Sequence, residues 1–298
     1  MTASVVPNHE GFVTAAGGVR LFYRRIGSGP NPVVIPNGFH LFEDFKLFAE
    51  KRPLLFYDVR NRGQSETILD DEKLERGIHN DVADLEAVRQ LFAIERLDVI
   101  GHSYIGLMTG LYARTYPAAV NRLLLVGPMQ PSPTRQYPAQ RDNTLADVLS
   151  ELAELQQKPT SLDPIEACKN FWAVLRKIYV TDPADAHKIR WDRCELPNER
   201  NFMKYWTGKI LPSIQKIEFS TSDLSRVEAP VLIIHGTRDR SSPYEGGREW
   251  ASMFPNARLL TVHNAAHAPW VESPDLVFEA IETFLNGRWP ASAERVTL

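Results

Sequence analysis

The chain has 298 residues and contains no apolar run near the roughly 20 residues that a membrane helix needs. Apolar residues make up 43% and charged residues 24%, the balance of a packed globular chain, which excludes a disordered one. A net charge of -3 offers no basic surface for nucleic acid or an anionic membrane, so neither is expected as a partner.

At roughly 150 residues per domain, the length allows two domains, or one large α/β domain with an insertion. Met1 to Phe12 lacks the basic and apolar stretches of a secretory signal. Cys168 and Cys194 are too few for a disulfide framework, so reduced thiols and a cytoplasmic location are the default expectation; the two could pair in an oxidising compartment, and the sequence leaves their distance open.

Val19 to Arg25 reads as a strand ending at the turn Gly27-Ser28-Gly29-Pro30. Val33 to Pro36 and Leu54 to Asp58 are short apolar runs, as expected of strands covered on both faces. Between Asn80 and Ile94 the apolar positions Val82, Leu85, Val88, Leu91 and Phe92 fall at helical spacing. Leu97 to Ile100 reads as a buried strand, Leu107 to Tyr116 as a helix closed by Pro117, and Arg122 to Val126 as a strand. Ala229 to His235 and Arg258 to Val262 are further strands, and Leu276 to Leu285 is an amphipathic closing helix. Such alternation predicts a mainly parallel sheet with helices on both faces.

Residues 131–226 break that rhythm. Helical stretches such as Leu145 to Leu155 and Ile165 to Tyr179 are punctuated by prolines and enriched in aromatics, Trp172, Tyr205 and Trp206 among them. These side chains suit either the small core of a helical subdomain or the wall of an apolar cavity over a site. The expected organisation is a core of 1–130 and 227–298, with 131–226 as an inserted helical cap.

The stretch Leu97-Asp98-Val99-Ile100-Gly101-His102-Ser103-Tyr104-Ile105-Gly106 runs a buried strand through a sharp turn into a helix. A serine on such a turn projects its hydroxyl above the sheet, where a base and a substrate can reach it. The strict pattern is Gly-x-Ser-x-Gly; here Ile105 stands at the second glycine position and Gly106 follows, so bulk is expected to tighten the turn.

With three further segments, the chain resembles the α/β-hydrolase family over nearly its whole length outside the cap. Val33-Val34-Ile35-Pro36-Asn37-Gly38-Phe39 is similar to the strand leading into a His-Gly loop, with Asn37 in the histidine position. Tyr57-Asp58-Val59-Arg60-Asn61-Arg62-Gly63-Gln64-Ser65 is similar to the Asp-x-Arg-Gly-x-Gly-x-Ser loop, with Asn61 replacing one glycine. Val231 to Asp239 matches the strand that delivers an acid, and Ala265-Ala266-His267-Ala268 the segment that delivers a base. The resemblance implies an α/β-hydrolase fold: a mainly parallel eight-stranded sheet flanked by helices, with an inserted cap.

A serine hydroxyl needs a base to remove its proton as it attacks. His267 is the leading candidate; His263 would compete only on a helical backbone, and His102 and His235 are more often structural. No third ligand accompanies His263 and His267, so no metal is expected. The base needs a carboxylate, and Asp239 stands at the family's position, whereas Asp58 matches a structural loop. The chain order Ser103, Asp239, His267 is the order that this fold requires. The resemblance assigns the two oxyanion donors to the backbone N–H groups of Phe39 and Tyr104.

The expected activity is therefore a cofactor-free serine hydrolase acting on a small or medium, partly apolar ester. An aminopeptidase similar to the proline iminopeptidases is the rival, with Glu195 and Glu199 in the cap to hold a free amine. Hydrolysis of a carbon–carbon bond uses the same three residues, and a ligand-binding protein that lost the chemistry is the alternative outside catalysis. A small-molecule substrate is the expected partner, and the residues leave the oligomeric state open.

Overall fold

Side chains alternate across a strand, so consecutive apolar residues of a fully covered strand serve two cores. Leu123 and Leu125 pack into one buried cluster, while Leu124 and Val126 between and beside them pack into the other, on the opposite face of the sheet. The structure is a computed structural model, and it describes residues 8–135, 137, 143–157, 163–191, 193–200 and 202–297. Of the N-terminal segment read above, residues 1–7 lie outside the described residues.

One nine-stranded sheet carries the fold, in the order β1-β2-β4-β3-β5-β6-β7-β8-β9. Its strands are β1 (His9–Thr14), β2 (Arg20–Ile26), β3 (Val33–Pro36), β4 (Leu54–Tyr57), β5 (Leu97–His102), β6 (Val120–Val126), β7 (Val231–Gly236), β8 (Ala257–Val262) and β9 (Ala293–Glu294). From β4 to β8 the pairing is parallel, with Leu123 opposite Val231 and Leu232 opposite Arg258. The outer pairs β1/β2, β2/β4 and β8/β9 are antiparallel. The sheet has one strand more than the eight expected, and β9 spans only two residues. β1 also escaped the sequence reading, because Val13 is its one buried residue and no apolar run marks it.

Three helices of the first half pack on this sheet: α1 (Gly38–Phe45), α2 (Ile78–Leu91) and α3 (Tyr104–Thr115). After β6 the chain leaves the sheet and rejoins it at β7. The described residues between them form helical segments and no strand, the longest being α4 (Asn143–Gln157) and α5 (Pro164–Leu175). Among the described residues, no helix is long and apolar enough to cross a membrane.

The expectation of two reduced thiols is overturned. Cys168 on α5 and Cys194, 26 positions later, form a disulfide, with their Cα atoms 5.8 Å apart. The fold of the inserted segment brings together residues whose spacing in the chain gave no sign of proximity.

Candidate active site

β5 ends at His102, and Ser103 adopts φ 58° and ψ -129°, a strained conformation for a residue with a side chain. Helix α3 starts at the next residue, so the Ser103 hydroxyl sits where strand turns to helix. This junction depends on glycine. A Cβ on Gly101 would lie 2.4 Å from Thr109 Oγ1, and one on Gly106 would lie 2.8 Å from Pro128 Cβ. Ile105 does not crowd the turn, because its side chain is buried in the core around α3. The close approach that the strict pattern assigns to position 105 falls here on Gly106.

Asp239 follows β7 and is 1% exposed. Its Oδ1 accepts the backbone N–H groups of Ser241 and Ser242, both at 2.8 Å, and its Oδ2 lies 2.8 Å from His267 Nδ1. The loops carrying the two residues touch at Gly236, where a Cβ would lie 2.3 Å from Ala265 O. Burial alone would raise the Asp239 carboxyl, but His267 and His235 beside it hold it below the usual carboxylate range. Because Nδ1 faces the carboxylate, it carries the proton, and Nε2 is left with its lone pair for a substrate or nucleophile.

The other histidines have different partners. His102 Nε2 lies 3.1 Å from the His267 carbonyl, so its N–H ties the Ser103 turn to the His267 loop. His235 Nε2 lies 2.9 Å from the Ser242 carbonyl and 3.2 Å from Asp239 Oδ2. His263 is exposed on the turn before His267. Asp58 stands away from the imidazole pair, accepting backbone N–H groups of Phe39 and Gln64, both at 2.8 Å.

Ser103, Tyr104 and His267 line one cavity of about 320 Å³, at the small end of ligand pockets. Trp172 and Trp206 line it, as do Trp191, Tyr179 and Phe171 from the same inserted segment. Tyr179 sits over His267, the two rings 4.9 Å apart. Tyr205 does not reach the cavity; it packs into the core and borders a separate depression with Asn61 and Ile68.

Neither glutamate offers a free carboxylate to an amine. Glu195 is exposed and paired with Arg193. Glu199 is buried, accepts the Gly63 N–H at 2.8 Å and pairs with Arg62 at 3.2 Å. The expected oxyanion role of the Phe39 N–H is also corrected. Helix α1 already begins at Gly38, so the Phe39 N–H points to Asp58 Oδ1, and the residue borders a different depression. Tyr104 heads α3, where the helix itself leaves backbone N–H groups unpaired.

Four polar residues of the cavity wall had no assigned role in the sequence: Asn37, His40, Arg62 and Ser241. His40 follows the Asn-Gly-Phe segment with no periodicity to single it out, and Arg62 sits in a loop that reads as structural. Asn37 and Asn61 both take left-handed backbone, φ 64° and 51°, a conformation that asparagine tolerates among residues with a side chain. Asn61 secures its turn by exchanging two hydrogen bonds with the Ile68 backbone.

A family model for the alpha/beta hydrolase fold matches residues 35–274. A proline iminopeptidase of Heyndrickxia coagulans is 22% identical, over 93% of this chain and 98% of its own. Among solved structures, an esterase from Exiguobacterium antarcticum superposes with a TM-score of 0.72 at 17% identity, covering 93% of this chain and 100% of the esterase. The 2-hydroxy-6-oxo-6-phenylhexa-2,4-dienoate hydrolase of Rhodococcus sp. strain RHA1 gives 0.72 at 18% identity, covering 94% and 99%.

Proposed function

The chain belongs to the α/β-hydrolase fold family, and from that premise we propose that it is a serine hydrolase that cleaves a small, partly apolar carboxylic ester. The observation that carries this reading is the 2.8 Å contact between the buried Asp239 and His267, beside a cavity that both His267 and the strained Ser103 line. Ser103 Oγ attacks the ester carbonyl while its proton passes to His267 Nε2. The imidazolium formed is stabilised by Asp239 and returns that proton to the departing alkoxide. Water then attacks the acyl-serine through the same base, releasing the acid and restoring the hydroxyl.

A wall of Phe171, Trp172, Tyr179, Trp191 and Trp206 suits an apolar acyl or alkyl group, and the modest volume argues for a short one. The aminopeptidase reading loses its residue basis, because Glu199 is neutralised by Arg62 and Glu195 lies outside the cavity. A cytoplasmic location stands as a proposal against which the disulfide weighs.

The test compares short p-nitrophenyl esters with alanyl and prolyl arylamides, using the protein and its Ser103→Ala variant. Ester cleavage lost in the variant supports the reading. Preference for the arylamides contradicts the ester assignment, and undiminished turnover in the variant contradicts the serine mechanism.

A further inference from the structure

His40 is buried on the cavity wall, stacked 4.9 Å from Trp191 and edge-on to Trp172. Its two nitrogens face different partners: Nε2 lies 3.4 Å from Arg62 Nη2, and Nδ1 lies 3.2 Å from the side-chain amide of Asn37. A guanidinium only donates hydrogen bonds, so the nitrogen facing Arg62 carries a lone pair. Burial, and then the Arg62 charge, hold the imidazole well below its ordinary range, which leaves it neutral with one N–H. That N–H sits on Nδ1 and points at Asn37.

The amide must therefore offer an acceptor. With Nδ2 facing His40, two donors meet, while Oδ1 is buried with no partner among the described residues. Exchanging the two ends of the amide gives His40 Nδ1–H an oxygen to donate to, and hydrogen-bond networks are what decide such orientations. The NH2 group then takes the unpartnered position, on a residue that lines the cavity with Ser103 and is 8% exposed. Two sheltered N–H donors without an acceptor are costly until a ligand oxygen supplies one.

We propose that the Asn37 side-chain amide is the second oxyanion donor, beside the Tyr104 N–H, oriented by the chain Glu199–Arg62–His40. It takes the place of the Phe39 N–H, which is held by Asp58 at 2.8 Å. Asn37 is then a catalytic residue, and His40 and Arg62 are positioning residues. The inference rests on the serine-hydrolase reading, since an oxyanion forms only when an acyl carbon is attacked.

The experiment measures kcat and KM for p-nitrophenyl acetate with Asn37→Gly, Asn37→Asp and Ser103→Ala, each checked by thermal melting. Glycine and aspartate both accept the left-handed backbone at this position, and aspartate keeps the side chain's size, so a folding failure in one leaves the other to report. The expected result is a loss of kcat of about a hundredfold or more in both variants, with KM within about threefold of the wild type. His40→Gln, whose amide can accept from Arg62 and donate to Asn37, is expected to keep more kcat than His40→Phe. If Asn37→Gly retains kcat within about threefold, a backbone donor serves and the inference is overturned; a loss confined to KM overturns it equally. An inactive Ser103→Ala beside an unimpaired Asn37→Gly refutes this inference alone. An active Ser103→Ala refutes the serine mechanism and the inference with it.

Discussion

His267 Nδ1 stands 2.8 Å from Asp239 Oδ2, and the other oxygen of that carboxylate is fixed by two backbone N–H groups. The aspartate thus cannot turn away, and its hydrogen bond sets which imidazole nitrogen holds the proton. Asp239→Asn would keep the shape and remove the charge, favouring the wrong tautomer. The expected loss in kcat on the preferred ester is on the order of 10⁴, with melting temperature and KM little changed. A loss below about tenfold would show that the pair does not carry the proton transfer.

Asp58 gives a pH test of the neighbouring loop. Burial pushes its carboxyl up to about 6, opposed by the N–H groups of Gln64 and Phe39. In the unfolded chain it would ionise near 3.9. Between those values the folded state keeps a proton that the unfolded state has released, so its contribution to stability falls as pH rises from about 4 to 6. Above that it is constant. The unfolding free energy of the wild type relative to Asp58→Asn should drop by about 2 kcal/mol between pH 4 and pH 7. A difference that does not vary with pH would contradict the raised value.

Arg62 and Glu199 form an ion pair with both side chains almost fully buried. Glu199→Gln leaves a buried guanidinium without its counter-charge and should cost about 3 kcal/mol in urea unfolding. Replacing both residues by methionine should recover most of that loss. A loss in the double variant as large as the sum of the losses in Arg62→Met and Glu199→Met alone would mean that the pair is not coupled.

The disulfide closes a segment of 26 positions. Chain entropy puts its contribution at about 3 to 4 kcal/mol. Thiol titration of the denatured, unreduced protein should find no free cysteine, and the Cys168→Ser/Cys194→Ser variant should melt at lower temperature. Two titratable thiols in the protein as purified would contradict the pairing.

Much of the sheet was legible because covered parallel strands leave unbroken apolar runs, as at Val33 to Pro36 and Val231 to Ile234. Ser103, Asp239 and His267 could be singled out because each follows a strand and stands in family order. The contacts across the cavity were not legible. The Arg62 bond to Glu199 spans 137 positions, and nothing local to either residue announces the other. Phe39 went astray for a local reason: the start of α1 at Gly38 turned its N–H toward Asp58, and the resemblance carried no information on where that helix begins.

The central claim is that Ser103 is a nucleophile activated by His267 and Asp239. A fluorophosphonate tests it most directly, because it forms a stable phosphonyl ester only with an activated serine. Intact mass and peptide mapping should show one adduct, on the peptide that contains Ser103, formed quickly in the wild type. It should be absent from Ser103→Ala and strongly slowed in His267→Ala. No adduct on a folded, ester-cleaving protein, or an adduct on another residue, would contradict the account.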